Sequence, residues 1–103
     1  MNPYEVVKAF ERELCLYTGA PFAVATTSCT MALLLACAYL RTRSHAETVT
    51  IPSRTYLGVP QSILHAGFRV AFRDEAWIGS YQLAPLPIWD CARRFTAGMY
   101  LHG

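Results

Sequence analysis

The chain has 103 residues, of which 53% are hydrophobic and only 16% charged. That length accommodates one domain or part of one. The net charge of +2 is scattered, with Arg41/Arg43 and Arg93/Arg94 as the basic clusters, so the basic stripe of a nucleic-acid binder is missing. A short domain exposes much of its surface and normally carries more charge to cover it. The excess therefore reads as apolar surface meant for a partner: more chain, a second subunit, or both. Cys15, Cys29, Cys37 and Cys91 show no CxxC spacing, and no His pair has metal-ligand spacing. The start, Met1-Asn2-Pro3-Tyr4-Glu5, does not read as a signal peptide. The longest apolar run, Met31 to Leu40, is well short of the roughly 20 residues of a membrane span. A cytoplasmic protein with reduced thiols and no membrane or nucleic-acid partner is the expectation.

Asn2 can cap a helix, with Pro3 at its first position and Glu5 at its third. Val6, Phe10, Leu14 and Tyr17 then share one helical face, and Gly19 and Pro21 end the helix. Phe22 to Ala25 is a short apolar run that reads as a buried strand. The run Met31 to Leu40 reads as a deeply buried helix, because it is apolar nearly all round. Glu47 to Ile51 predicts a second strand. Tyr56 to Ala66 predicts a helix confined to its later part by Gly58 and Pro60, and Phe68 to Phe72 a third strand. An irregular stretch follows Asp74, and Leu86 to Trp89 is a fourth apolar run ending at Asp90. Strands alternating with helices argue for an α/β layer with a mostly parallel sheet and flanking helices. Ligands in such sheets gather at strand carboxyl ends and helix N-termini.

Three places meet that description. A helix starting at Thr27-Ser28-Cys29-Thr30 would aim free N–H groups and two hydroxyls at a phosphate-sized anion, although Ser and Thr at a helix start also serve simply as caps. Asp90 closes an apolar strand; a buried carboxylate there needs a partner, which a protonated ring nitrogen or the next helix's N–H groups could supply. Tyr56, just beyond the second strand, could stack on a flat ligand or simply pack. No serine lies in a GxSxG setting, and His45, His65 and His102 are scattered, which excludes a hydrolase triad.

The order of these signals carries a resemblance. Phe22 to Leu33 resembles the "AVAVSSGTAAL" stretch of the DegT/DnrJ/EryC1/StrS family, the PLP-dependent sugar aminotransferases of fold type I. Ile51 to Tyr56 resembles its "VPSFTF", Ile63 to Asp74 its "AILYAGAKPVFVD", and Ile88 to Ala92 its "VIEDAAQ". Phe10 to Leu14 with Tyr17-Thr18-Gly19 matches "FEREFAEYLG". The resemblance implies part of a fold type I large domain spanning 1–103 as one unit, with a helix over 1–19 and the cofactor-binding part over 20–103. It implies pyridoxal 5'-phosphate (PLP) as cofactor: Ser28, Cys29 and Thr30 around the phosphate, Tyr56 stacked on the ring, Asp90 on the ring nitrogen, and Ala92 against the other face. It also implies a homodimer and a nucleotide-sugar substrate.

Three departures stand out. Arg93 replaces the usual Gln or His, and either faces the cofactor or turns outward. Asp74 and Asp90 are too close to hold the strand and helix usual between them. Lys8 is the sole lysine, whereas the family holds PLP on a lysine that follows the aspartate block after an "SFH" segment. That lysine is both the covalent attachment and the proton shuttle, so residues 1–103 alone are expected not to transaminate efficiently. Any PLP would bind them non-covalently, and a complementing C-terminal chain is the expected source of the lysine. The alternatives are a phosphate-ligand-binding or dimerisation module of the same descent, and an unrelated small α/β protein.

Overall fold

The computed structural model describes residues 2–100; His102 lies outside them. They form two compact units, one built from the chain's two ends (to Thr26 and from Phe95) and a central one, Thr27–Arg94.

In the terminal unit, α1 spans Pro3–Thr18. It starts where the sequence places it: Asn2 Oδ1 accepts the Glu5 N–H at 2.8 Å, and Pro3 occupies the first helical position. Gly19 closes it at φ 84°, donating to the Cys15 carbonyl. The apolar face at Val6, Phe10 and Tyr17 stays exposed, although Tyr17 stacks on Phe95 with ring centroids 4.7 Å apart. The expected buried strand at Phe22 to Ala25 does not form. Phe22 is 84% and Val24 82% exposed, and the Ala25 N–H goes to the Glu11 carboxylate at 2.7 Å rather than into a ladder. Apolar residues make a strand only when a neighbouring strand takes their N–H and C=O groups, and none of the described residues does so.

The central unit is a β-α-β arrangement with a helix before it and a short ribbon after it. Helix α2 (Cys29–Arg41) precedes strand β1 (Thr48–Pro52), helix α3 (Gly58–His65) and strand β2 (Arg69–Arg73). β1 and β2 pair in parallel, Val49 opposite Val70 and Ile51 opposite Phe72. β3 (Tyr81–Gln82) and β4 (Trp89–Asp90) form a separate antiparallel ribbon, so only the two-stranded β1–β2 sheet is parallel. The arrangement is mixed α/β with a small parallel sheet, compatible with a partial transferase domain. Helix α3 begins earlier than expected because Pro60 falls in its first turn, where its missing N–H has no helical acceptor to lose. The deep burial expected of α2 is not met: Leu33 and Cys37 face the core, while Leu35 and Tyr39 are exposed.

Val49, Ile51, Val59, Ile63, Phe68, Tyr81, Leu83 and Leu86 complete the core with Leu33 and Cys37. Among the described residues, ten side chains make up the hydrophobic core and nineteen large hydrophobic ones are exposed, consistent with the apolar excess in the composition. No helix among the described residues is long and apolar enough to cross a membrane.

The ribbon is fastened to β1. Thr50 exchanges N–H···O=C bonds with Ala84, at 2.7 and 3.0 Å. Arg73 adds a three-way clamp, donating to the Thr50 carbonyl at 2.8 Å, the Gln82 carbonyl at 3.2 Å and the Glu75 carboxylate. Arg73→Met is expected to cost about 2 kcal/mol, since partly buried carbonyls lose a charged donor. Urea unfolding of the variant measures it.

Candidate functional site

The start of α2 is the hub of the site. Ser28 is its N-cap, its hydroxyl accepting the Met31 N–H at 3.1 Å, so the capping reading of this serine holds. The N–H groups of Cys29 and Thr30, at the first two helical positions, have no carbonyl within the helix to donate to and lie at the positive end of its dipole. No described residue other than glycine has positive φ, so Cys29 sits comfortably where a glycine would give the chain more freedom.

Helix α3 brings Tyr56 to this point. A Cβ on Gly58 would stand 2.8 Å from Thr30 Oγ1 and 2.9 Å from the Tyr56 ring, so hydroxyl and ring both border the space that the glycine leaves open. The buried Ser62 hydroxyl lies 2.8 Å from the Gly58 carbonyl and 3.2 Å from the Thr30 carbonyl, bridging the two helix starts. The Tyr56 side itself stays open, at 76% exposure. Gly58→Ala is expected to destabilise the chain by about 1 kcal/mol, because Thr30 and Tyr56 must both give way. Chemical denaturation checks the loss, and a shift in the Tyr56 ring resonances checks its cause.

Asp90 ends β4 and is 7% exposed. Both its oxygens are held. Oδ1 accepts the Ala92 N–H at 3.0 Å, and Oδ2 accepts the Tyr81 hydroxyl at 2.7 Å. Its charge reaches the start of α2, where burial first and then Asp90 and Cys91 push the Cys29 thiol up. Burial, followed by the hydrogen bond to Asp90, pushes the Tyr81 hydroxyl far up, so it stays a donor at any physiological pH.

Ala92 is an exposed residue that contributes its backbone N–H. Arg93 is exposed and turns to Trp77, its guanidinium 5.7 Å from the ring centroid. Trp77 donates to the Arg54 carbonyl at 2.9 Å and sets its ring edge-on to Tyr81, with centroids 4.7 Å apart. The structure thus gathers Ser28, Cys29, Thr30, Tyr56 and Asp90 around one helix start and seats Arg93 on a tryptophan.

Tyr81 and Trp77 are additions that the sequence did not single out, and Gly58 had been marked only as a limit on the helix. The interval between Asp74 and Asp90, too short for a strand and a helix, instead holds β3 and the turn into β4. Lys8 belongs to the terminal unit, where its ammonium lies 5.3 Å from the Tyr4 ring centroid and it lines an open groove of about 440 Å³ with Glu11 and Arg12.

Residues 1–100 match the model of the DegT/DnrJ/EryC1/StrS aminotransferase family. The spore coat polysaccharide biosynthesis protein SpsC of Bacillus subtilis (strain 168) is 37% identical over 68 residues, covering 66% of this chain and 17% of that protein. The matched stretch is thus a small part of the relative's length. No solved structure matches the chain.

Proposed function

The chain belongs to the DegT/DnrJ/EryC1/StrS aminotransferase family, and from that premise we propose that it is the N-terminal cofactor-binding portion of a PLP-dependent aminotransferase acting on a nucleotide-linked keto sugar. The family is PLP-dependent, and the likeness to SpsC, a polysaccharide biosynthesis protein, supports a sugar substrate. The observation that carries the reading is the convergence of α2's free N–H groups, the open Tyr56 ring and the buried Asp90 carboxylate.

These residues fit the cofactor. A carboxylate offers about four acceptor positions, and Asp90 uses two of them on Tyr81 and Ala92, so a ring N–H can still be accepted. The Cys29 and Thr30 amides and the Thr30 hydroxyl suit a phosphate at a helix start. The Tyr56 face suits a planar ring. Bound PLP supplies an electron sink for carbanion chemistry at the substrate carbon. Asp90 holds the ring nitrogen's proton in place, α2 anchors the phosphate, and Tyr56 fixes the ring plane. Lys8 belongs to the terminal unit, and the attaching, proton-moving lysine of the family is assigned to further chain or a complementing chain. Homodimerisation would cover part of the exposed apolar surface.

Titrating the purified chain with PLP by absorbance, then reducing with borohydride and weighing the product, tests the proposal. Saturable binding without an adduct on Lys8 is the expected result. Absence of saturable binding, or binding accounted for wholly by a Lys8 adduct, would refute it.

A further inference from the structure

We propose that Tyr81 is a positioning residue for Asp90: its hydroxyl fixes the carboxylate in the orientation that receives the ring nitrogen, an inference that rests on the PLP reading above. Tyr81 and Asp90 stand directly opposite each other across the β3–β4 ribbon, so the backbone register itself sets their approach. Both are buried, at 3% and 7% exposure, and their side chains meet at 2.7 Å. A charged acceptor makes such a bond stronger than a neutral pair would, and burial removes competing water. With the Ala92 N–H on Oδ1, the Tyr81 hydroxyl on Oδ2 leaves the carboxylate one orientation, whereas either donor alone would let it swing. The tyrosine is fixed in turn. The Trp77 ring meets it edge-on, and the Trp77 N–H is tied to the Arg54 carbonyl. The hydroxyl keeps its proton because burial and the neighbouring carboxylate hold its pKa well above the ordinary range. The ribbon fills the shortened stretch before Asp90, and its two-residue strand delivers the donor.

Tyr81→Phe retains the ring on Trp77 and deletes only the hydroxyl. In the cofactor-free variant, the Ala92 amide is expected to exchange with deuterium about 10-fold faster, because the carboxylate it donates to has lost its second anchor. PLP binding is expected to weaken about 10-fold with an unchanged circular dichroism spectrum. Wild-type PLP affinity and Ala92 protection in Tyr81→Phe would overturn the inference. If that happens while Asp90→Ala loses binding, the proposed function stands and the tyrosine's role falls. If the wild-type chain itself fails to bind PLP, the proposed function falls, and Ala92 exchange alone judges whether Tyr81 fixes Asp90. Should Tyr81→Phe not fold, proton NMR of the wild type decides. A slowly exchanging Tyr81 hydroxyl resonance supports the inference, and its absence contradicts it.

Discussion

Asp90→Ala is expected to weaken PLP binding by about 100-fold, the equivalent of about 2.7 kcal/mol. The size follows from burial. A ring N–H placed against a desolvated carboxylate loses both its charge partner and its acceptor when the side chain is truncated, and a buried unpaired charge is costly. The same substitution takes the acceptor from the Ala92 N–H and strands the buried Tyr81 hydroxyl, which costs about 1–3 kcal/mol when left without a partner. Asp90→Asn separates the two effects. The amide keeps the volume and an acceptor oxygen, so the fold is expected to survive by circular dichroism, while loss of the negative charge still lowers affinity in the absorbance titration. Wild-type affinity in Asp90→Asn would mean that the carboxylate does not serve a charged ring nitrogen.

Ile63→Ala is expected to cost about 3 kcal/mol of stability. Ile63 has no exposed surface and sits on α3 within the core that joins both helices to β1. Its carbonyl also accepts the Phe68 N–H at 3.2 Å where the chain turns through Gly67 into β2. With ten apolar side chains in the core, a cavity at this point has few neighbours to collapse into it. Urea unfolding followed by tryptophan fluorescence measures the loss. Leu64→Ala is the control: that side chain is 56% exposed, and its removal is expected to change stability by less than about 0.5 kcal/mol.

Local rules made α1 and much of the central unit readable. Asn2, Pro3 and Gly19 bracket α1 through capping chemistry that acts within a few residues. The β1-α3-β2 sequence follows from its change of hydrophobic period. The strand expected at Phe22 to Ala25 failed because strand pairing is non-local: the apolar run states a preference, and the partner decides the outcome. The exposed side of α2 has the same origin, since an apolar helix surface is buried only where another surface meets it.

Within the site, Ser28, Thr30, Tyr56 and Asp90 were legible as residues at element ends, where ligands collect in α/β sheets. Tyr81 was hidden in a stretch read as irregular. Its signal was the alternation of buried Tyr81 and Leu83 around Gln82, a two-residue period too short to stand out. Gly58 was read as a limit on the helix, while the structure shows a glycine whose added Cβ would crowd both Thr30 and Tyr56. Arg93, ambiguous in sequence, is placed by Trp77.

The claim that this chain carries the phosphate and ring-nitrogen end of a PLP site is tested most directly by amide NMR of the ¹⁵N-labelled chain during PLP titration. The account predicts saturable shifts centred on Ser28 to Thr30, Tyr56, and Cys91 with Ala92. Shifts confined to the Lys8 groove, or none at all, would contradict it.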